Sequence, residues 1–171
     1  MADHRGRLLG AALLVATLGA CTSSGPGGGK GDPLPVKPRA EAVAWARDVV
    51  EHLALVVEVR LNDKPAGTNF SRCFGKKREP FFEDRYELIY SATSDTPDVR
   101  HAEVVRRARD RLLGDGFEVT DFRVRTDGTP RSLVAARHPG SRHQVSVRSG
   151  EGGDSLAFVV ITPCLQEPPG G

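Results

Sequence analysis

Apolar residues recur at helical spacing in two segments of the chain. Pro38 suits the start of a helix, and the apolar positions after it predict an amphipathic helix over residues 39–59. These positions are Ala42, Trp45, Ala46, Val49, Leu53 and Val56. In the second segment, Thr96-Pro97-Asp98 predicts a capped helix start, and Gly114 or Gly116 predicts its end. Its apolar positions are Val99, Ala102, Val105, Ala108 and Leu112.

Alternating apolar and polar positions predict five strands. The strands are a segment of about ten residues that ends at Tyr90, followed by residues 117–126, 133–138, 143–148 and 156–161. The second strand changes parity, which indicates a bulge near Thr120-Asp121. The fifth is apolar throughout, which is typical of a central strand covered on both faces. Turn-forming residues predict a long loop over residues 60–80.

The N-terminal segment predicts export. Arg5 and Arg7 precede an apolar run of 13 residues, which ends in the small-residue sequence Leu18-Gly19-Ala20-Cys21. A spanning helix needs about 20 apolar residues, so a permanent transmembrane anchor is not expected. We interpret residues 1–20 as a signal peptide and Cys21 as the site of lipidation. The alternative is an ordinary cleaved signal followed by an incidental cysteine.

The predicted domain organisation follows from composition. Residues 22–38 are rich in Gly, Pro and Ser and lack apolar periodicity, so the lipidated Cys21 and this segment form a flexible tether over residues 21–38. A single α+β domain is predicted over residues 39–165, and a disordered tail over 166–171. The tether places the domain close to the extracytoplasmic face of the cell membrane.

Two cysteines remain once Cys21 is assigned to the lipid. In an oxidising compartment, Cys73 and Cys164 have one possible pairing, and we expect them to form a disulfide. Unpaired thiols or a metal pair are the alternatives, but two distant cysteines supply too few ligands for a metal.

The disulfide selects a topology for the predicted sheet. Cys73 precedes the first predicted strand and Cys164 follows the fifth, and a disulfide needs Cα atoms about 4.4–6.8 Å apart. Strands four places apart are separated by roughly 19 Å, so the first and fifth strands must be neighbours. The predicted fold is therefore an antiparallel five-stranded sheet of order 2-3-4-5-1, with two helices, a helical crossover and then a β-meander.

Net charge and motifs narrow the possible functions. The formal net charge is +2, with both signs mixed along the chain, which gives no reason to expect a nucleic-acid partner. No motif for a nucleophile elbow, phosphate loop, zinc protease or redox dithiol is present, and we expect no cofactor.

Two histidines are the remaining candidate metal ligands. His138 and His143 flank a predicted turn and could supply two corners of a metal site, but no third ligand is evident. The alternative interpretation is that both are polar residues that close a hairpin and bind no metal. His52, His101, Asp84 and Glu87 are interpreted as surface charge.

The overall layout resembles the small lipoproteins of actinobacteria. The resemblance is carried by the lipobox ending at Cys21, the Gly/Pro tether, the pair Gly116-Phe117 and the closing Pro163-Cys164. It implies surface display on a single-membrane cell, with no known catalytic residue to transfer. Beyond Cys21 and a disulfide, the resemblance assigns no site.

Two classes of function remain open. The first is a non-catalytic module that binds an envelope protein or ligand near the membrane. The second is a small cell-surface hydrolase or metal-dependent enzyme whose site leaves no linear motif. Alternate residues of the fifth strand point to opposite faces, so Phe158 and Val159 are the candidates for a binding face not covered by helices.

Replacing Cys21 tests the predicted anchor. In Cys21→Ser, labelled palmitate should no longer be incorporated, because serine has no thiol to accept the acyl group. The protein should then appear in the medium or remain unprocessed, as measured by detergent-phase partitioning. The neighbouring variant Thr22→Ser should stay in the detergent phase. Retention of cleaved Cys21→Ser in that phase would contradict lipidation.

Overall fold

The computed structural model describes residues 34–73, 84–124, 132–150 and 153–169. The predicted signal peptide, Cys21 and most of the tether lie outside these ranges, as does the start of the first predicted strand. Within the described ranges, no helix is long and apolar enough to cross a membrane.

Two helices form close to where the sequence predicts them. They are α1 (Arg39–Val56) and α2 (Asp98–Gly114). Pro38 and Pro97 are the N-cap residues, and neither helix start has a side-chain cap. The predicted cap by Thr96 is wrong, because its buried hydroxyl pairs with Ser94 Oγ at 2.7 Å.

Each helix is followed, two residues after its last residue, by a residue in the left-handed conformation. In α2 this residue is Gly116, with φ of 83°, and the Phe117 N–H bonds back to the Leu112 carbonyl. In α1 the same role falls to Glu58, with φ of 57°, which is uncommon for a residue with a side chain. The left-handed turn at Glu58 explains why α1 ends before the predicted residue 59.

The strands of the described residues form one sheet of seven. They are β1 (Gly67–Arg72), β2 (Arg85–Ser94), β3 (Glu118–Arg123), β4 (Leu133–Arg137), β5 (Gln144–Ser149), β6 (Leu156–Ile161) and β7 (Leu165–Gln166). The order is β1-β2-β6-β5-β4-β3, with β7 paired to the start of β2, and all of these strand pairs are antiparallel.

The sheet contains more strands than the five predicted. The five predicted strands correspond to β2 to β6, and they follow one another in the predicted relative order, but β1 and β7 extend the sheet. Residues 67–72 were expected to lie in a loop. They contain one large apolar residue, Phe70, which is typical of an edge strand that has few side chains to bury.

The bulge predicted in the second strand is confirmed. The register between β3 and β4 shifts between Val119 and Asp121. Because the bulge adds one residue, Val119 and Phe122 both pack against the core despite their different parity.

Both helices pack on the same face of the sheet. The core joins buried residues of α1 and α2 to one face of β2, β4, β5 and β6. On β6, Leu156, Phe158 and Val160 are fully buried in this core. The alternate residues Ala157, Val159 and Ile161 are partly exposed. The prediction that β6 is covered on both faces is therefore wrong for the described part of the chain.

The predicted disulfide is present. Cys73, which follows β1, is bonded to Cys164, between β6 and β7, with Cα atoms 5.9 Å apart. As the topology argument requires, β2 and β6 are neighbours and run antiparallel.

The two ends of the domain meet beside this disulfide. Val36 pairs in parallel with Gln166, and Tyr86 Oη donates a hydrogen bond to the Lys37 carbonyl at 2.6 Å. Burial raises the pKa of Tyr86 to about 12. Arg39 also pairs with Glu167 at 2.8 Å. Residues on both sides of the predicted bounds of 39–165 therefore take part in these contacts.

Reduction of the disulfide should destabilise the domain. Closing a loop with a sequence separation of 91 residues contributes about 4–5 kcal/mol on the chain-entropy model. We expect reduction, or the double variant Cys73→Ala/Cys164→Ala, to lower the melting temperature by roughly 10–20 °C. The unreduced, unfolded chain from Thr22 onward should contain no thiol that reacts with a labelling reagent. Two labelled thiols would contradict the pairing.

Candidate functional site

One face of the sheet is not covered by any described helix. Its side chains come from alternate positions of β2, β4, β5 and β6, and we call this surface the open sheet face. Its members are Ile89, Ser91, Leu133, Ala135, Ser146, Ala157, Val159 and Ile161. All are partly exposed. None of its apolar side chains belongs to the core or packs against it.

Strand register groups the branched side chains of this face. Ile89 pairs with Ile161 across β2 and β6. Val159 lies opposite Ser91 on one side and Ser146 on the other. Paired residues of neighbouring strands project to the same face. Because serine side chains are short, Val159 lies in a shallow row next to the bulkier isoleucine pair.

Charged groups border the open sheet face on the side of β3, β4 and β5. Arg137 and Arg148 make no ion pair with any residue that the structure describes. At the edge, Asp121 and Arg123 form an ion pair at 2.6 Å. The hydrogen bond from Arg123 lowers the pKa of the Asp121 carboxyl. The face therefore combines an apolar centre with two guanidinium groups that are available to a partner.

The two residues predicted for a binding face lie on opposite sides of the sheet. Phe158 is 0% exposed and is one of the largest side chains of the core, so it cannot contact a partner without unfolding. Val159 is partly exposed at the centre of the open sheet face. The alternation along β6 separates them, and Val159 remains the candidate.

The structure brings the two predicted metal candidates together. The rings of His138 and His143 stack with centroids 5.7 Å apart. The Ser141 N–H donates to His138 Nδ1 at 3.1 Å, which engages that nitrogen within the turn. Among the described residues, no group of three His, Cys, Asp or Glu side chains could hold a metal ion. The third ligand that a protein zinc site requires is therefore not supplied within the described ranges.

Aromatic rings surround this histidine pair. Trp45 of α1 lies edge-on to His143, with ring centroids 4.4 Å apart. Phe117, which follows α2, contacts His138 at 5.2 Å and His143 at 5.9 Å. The cluster thus ties both helices to the turn between β4 and β5. Burial, together with the neighbouring His138, lowers the pKa of His143.

His101 was predicted to lie on the surface but is buried. Its side chain is 2% exposed. His101 Nε2 donates a hydrogen bond to the Thr96 carbonyl at 2.7 Å, and Nδ1 is hydrogen-bonded to the Ser149 hydroxyl at 2.9 Å. Ser149 Oγ also accepts the Ser132 N–H at 3.0 Å. The group bridges α2 to β5.

A sequence signal for the burial of His101 exists. His101 lies four residues before Val105 and seven before Ala108, on the apolar side of α2. His101 was predicted to be exposed because its side chain is polar, despite its position on the apolar side of the helix. A histidine whose two ring nitrogens are both hydrogen-bonded can be buried at little cost.

No protein-family model, curated protein or solved structure matches this chain.

The titration of His143 should be visible in the fluorescence of Trp45, which is the single tryptophan of the chain. A protonated imidazole quenches a neighbouring indole, so acidification should lower the emission with a midpoint below about pH 6.5. Because unfolded His143 binds its proton at higher pH than folded His143, stability should also fall as the pH drops through that window.

Two variants control this titration. His143→Gln should abolish the fluorescence transition, since the titrating ring is removed. His138→Gln should move its midpoint upward, because the charge of His138 contributes to lowering the pKa of His143. A midpoint unchanged in both variants would show that another group is responsible.

Proposed function

We propose that the chain is an exported lipoprotein, anchored through Cys21 at the extracytoplasmic face of the cell membrane. Its folded domain is a non-catalytic module that binds an envelope partner through the open sheet face. The sequence ending at Cys21 and the Gly/Pro-rich residues 22–38 support the anchor. The arrangement of both helices on one face supports the binding surface.

The uncovered apolar strip is the observation that carries this proposal. Isolated apolar side chains on a protein surface are ordinary, whereas a contiguous group with a polar border marks a contact surface. Here Ile89, Val159 and Ile161 are contiguous through the β2–β6 pairing. Their burial by a partner would remove apolar surface from water, which is the main favourable term in association.

The shape and charge of the surface constrain the partner. A sheet face with short side chains along its central row is shallow, and it suits a partner that is itself flat rather than a small molecule that needs enclosure. Arg137 and Arg148 on one side favour acidic groups at the matching edge of that partner. We therefore expect an envelope component with a flat apolar patch and an acidic border.

The hydrogen bond between Ser149 and His101 favours the second candidate function, a small hydrolase. In such an enzyme the histidine removes the serine proton, and the serine oxygen must be free to attack. Here His101 is 2% exposed. In addition, the Ser149 oxygen already accepts the Ser132 N–H. This arrangement fits a structural bridge better than an exposed nucleophile.

Charged substitutions on β6 test the binding surface. Val159→Glu should cost about 1 kcal/mol or less, because the side chain reaches solvent, and it should abolish partner capture from the envelope fraction. Phe158→Glu should unfold the domain, because it places an unpaired carboxylate in the core at a cost of several kcal/mol. Thermal melts measure the stability of both variants, and affinity capture from the envelope fraction measures partner binding by Val159→Glu.

The matched control for Val159→Glu lies on α2. Val99 is 84% exposed, and Val99→Glu makes the same chemical change far from the open sheet face. It should leave both folding and capture intact. Capture retained in Val159→Glu, or lost equally in Val99→Glu, would exclude the open sheet face as the binding site.

A further inference from the structure

A cleft lies on the opposite side of the sheet from the open sheet face. It has a volume of about 290 Å³ and is formed by α1, the edge strand β1, the neighbouring strand β2, and residues 61–66. Val43, Leu61 and Ala66 supply apolar wall, and Arg47, Glu51 and Lys64 supply charged groups. Polar and charged residues outnumber the apolar ones in this lining, so the cleft suits a small molecule that carries both a polar group and an apolar part.

The wall contributed by residues 61–66 is held in place. The Asn62 N–H donates to the Thr93 carbonyl at 2.7 Å. Asn62 Nδ2 donates to Thr93 Oγ1 and to Asp95 Oδ1, and Asn62 Oδ1 accepts the Asp95 N–H at 3.1 Å. Because the amide has both its oxygen and its nitrogen engaged, it fixes this wall against β2. The cleft is therefore formed before any ligand enters.

Tyr90 is the one tyrosine among the residues that line the cleft. The residue is 5% exposed and lines the cleft wall. Its hydroxyl finds no hydrogen-bond partner among the described residues and is not enclosed by them. The hydroxyl of a buried tyrosine usually has a partner. Tyr90 can therefore give its hydrogen bond to a molecule in the cleft.

The charges around the cleft favour an anion. Arg47 and Lys64 line it and make no ion pair with any residue in the described ranges. Glu51 is the one acidic residue of the lining, so the cations outnumber it. An anionic ligand group that approaches Arg47 or Lys64 gains a favourable charge interaction without breaking an ion pair between described residues.

We propose that this cleft binds a small amphiphilic anion, with its carboxylate or phosphate group toward Arg47 and Lys64 and its apolar body on Val43 and Leu61. Tyr90 contributes a hydrogen bond. The volume corresponds to about ten water-sized groups, which suits a compact molecule such as an aromatic or short-chain acid. The site is independent of the proposed binding function, because it lies on the other face of the sheet.

A set of probes with one ring and different charges tests the ligand class. Benzoate and phenyl phosphate should each shift the backbone amide NMR signals of residues around the cleft in a saturable manner, and their relative affinities distinguish carboxylate from phosphate. Benzyl alcohol should bind more weakly than either anion, and benzylammonium should bind least. Equal binding of benzylammonium, or no saturable binding of either anion, would overturn the proposal.

Variants then assign the contacts. Arg47→Gln and Lys64→Gln should each weaken benzoate by about two- to fivefold while leaving benzyl alcohol unchanged. Tyr90→Phe removes only the hydroxyl and should weaken benzoate by about three- to tenfold without unfolding the domain, as no protein hydrogen bond is lost. Unchanged benzoate affinity in all three variants would show that binding occurs elsewhere.

Two controls separate this site from the open sheet face. Arg148→Gln removes a cation that makes no ion pair within the described ranges and lies outside the cleft, so it should not change benzoate affinity. Val159→Glu should likewise retain benzoate binding, whereas Arg47→Gln should retain capture of the envelope partner. A loss of benzoate binding in Arg148→Gln equal to that in Arg47→Gln would contradict the assignment to the cleft.

Discussion

The pairing of β2 with β6 is the contact on which the rest of the domain depends. It joins segments some seventy residues apart, with Ile89 opposite Ile161 and Ser94 opposite Leu156. In the folded domain Cys73 and Cys164 are bonded next to this pairing, and β7 pairs with the start of β2. The remaining strands then add on the free side of β6 as a meander, over which α2 packs.

A single-sided core follows from this arrangement. The buried apolar residues of both described helices pack against one face of the sheet, so Leu156, Phe158 and Val160 are fully excluded from water. The opposite face receives no described helix and is made of small or branched side chains. The molecule thus offers two different surfaces on its two sides: a flat one on the open sheet face and a concave one beside α1.

Much of the fold was accessible from the sequence because its signals are periodic. Both helices, the disulfide, the bulge near Thr120-Asp121 and the relative order of β2 to β6 could be inferred from spacing and chain geometry. β1 could not, since Phe70 is its one large apolar residue and a polar edge strand reads as a loop. The apolar run of β6 predicted a strand covered on both faces. Composition alone, however, does not show whether another element packs over Val159.

The candidate sites were less predictable because they depend on contacts between distant segments. The cleft combines residues of α1, β1, β2 and the segment around Leu61, and no linear pattern marks it. Similarly, His101 and Ser149 are 48 residues apart and meet only in the folded chain. The stacking of His138 and His143 was local enough to anticipate, whereas their contact with Trp45 was not.

The paired ends of the domain have a mechanical consequence. Val36 runs parallel to Gln166, so a pull on the N-terminal segment along the strand direction loads their hydrogen bonds in shear rather than one at a time. Gln166 lies two residues after Cys164, whose covalent bond to Cys73 resists the same displacement. Tension applied through the N-terminus would therefore reach the most strongly cross-linked corner of the sheet before it reached α1.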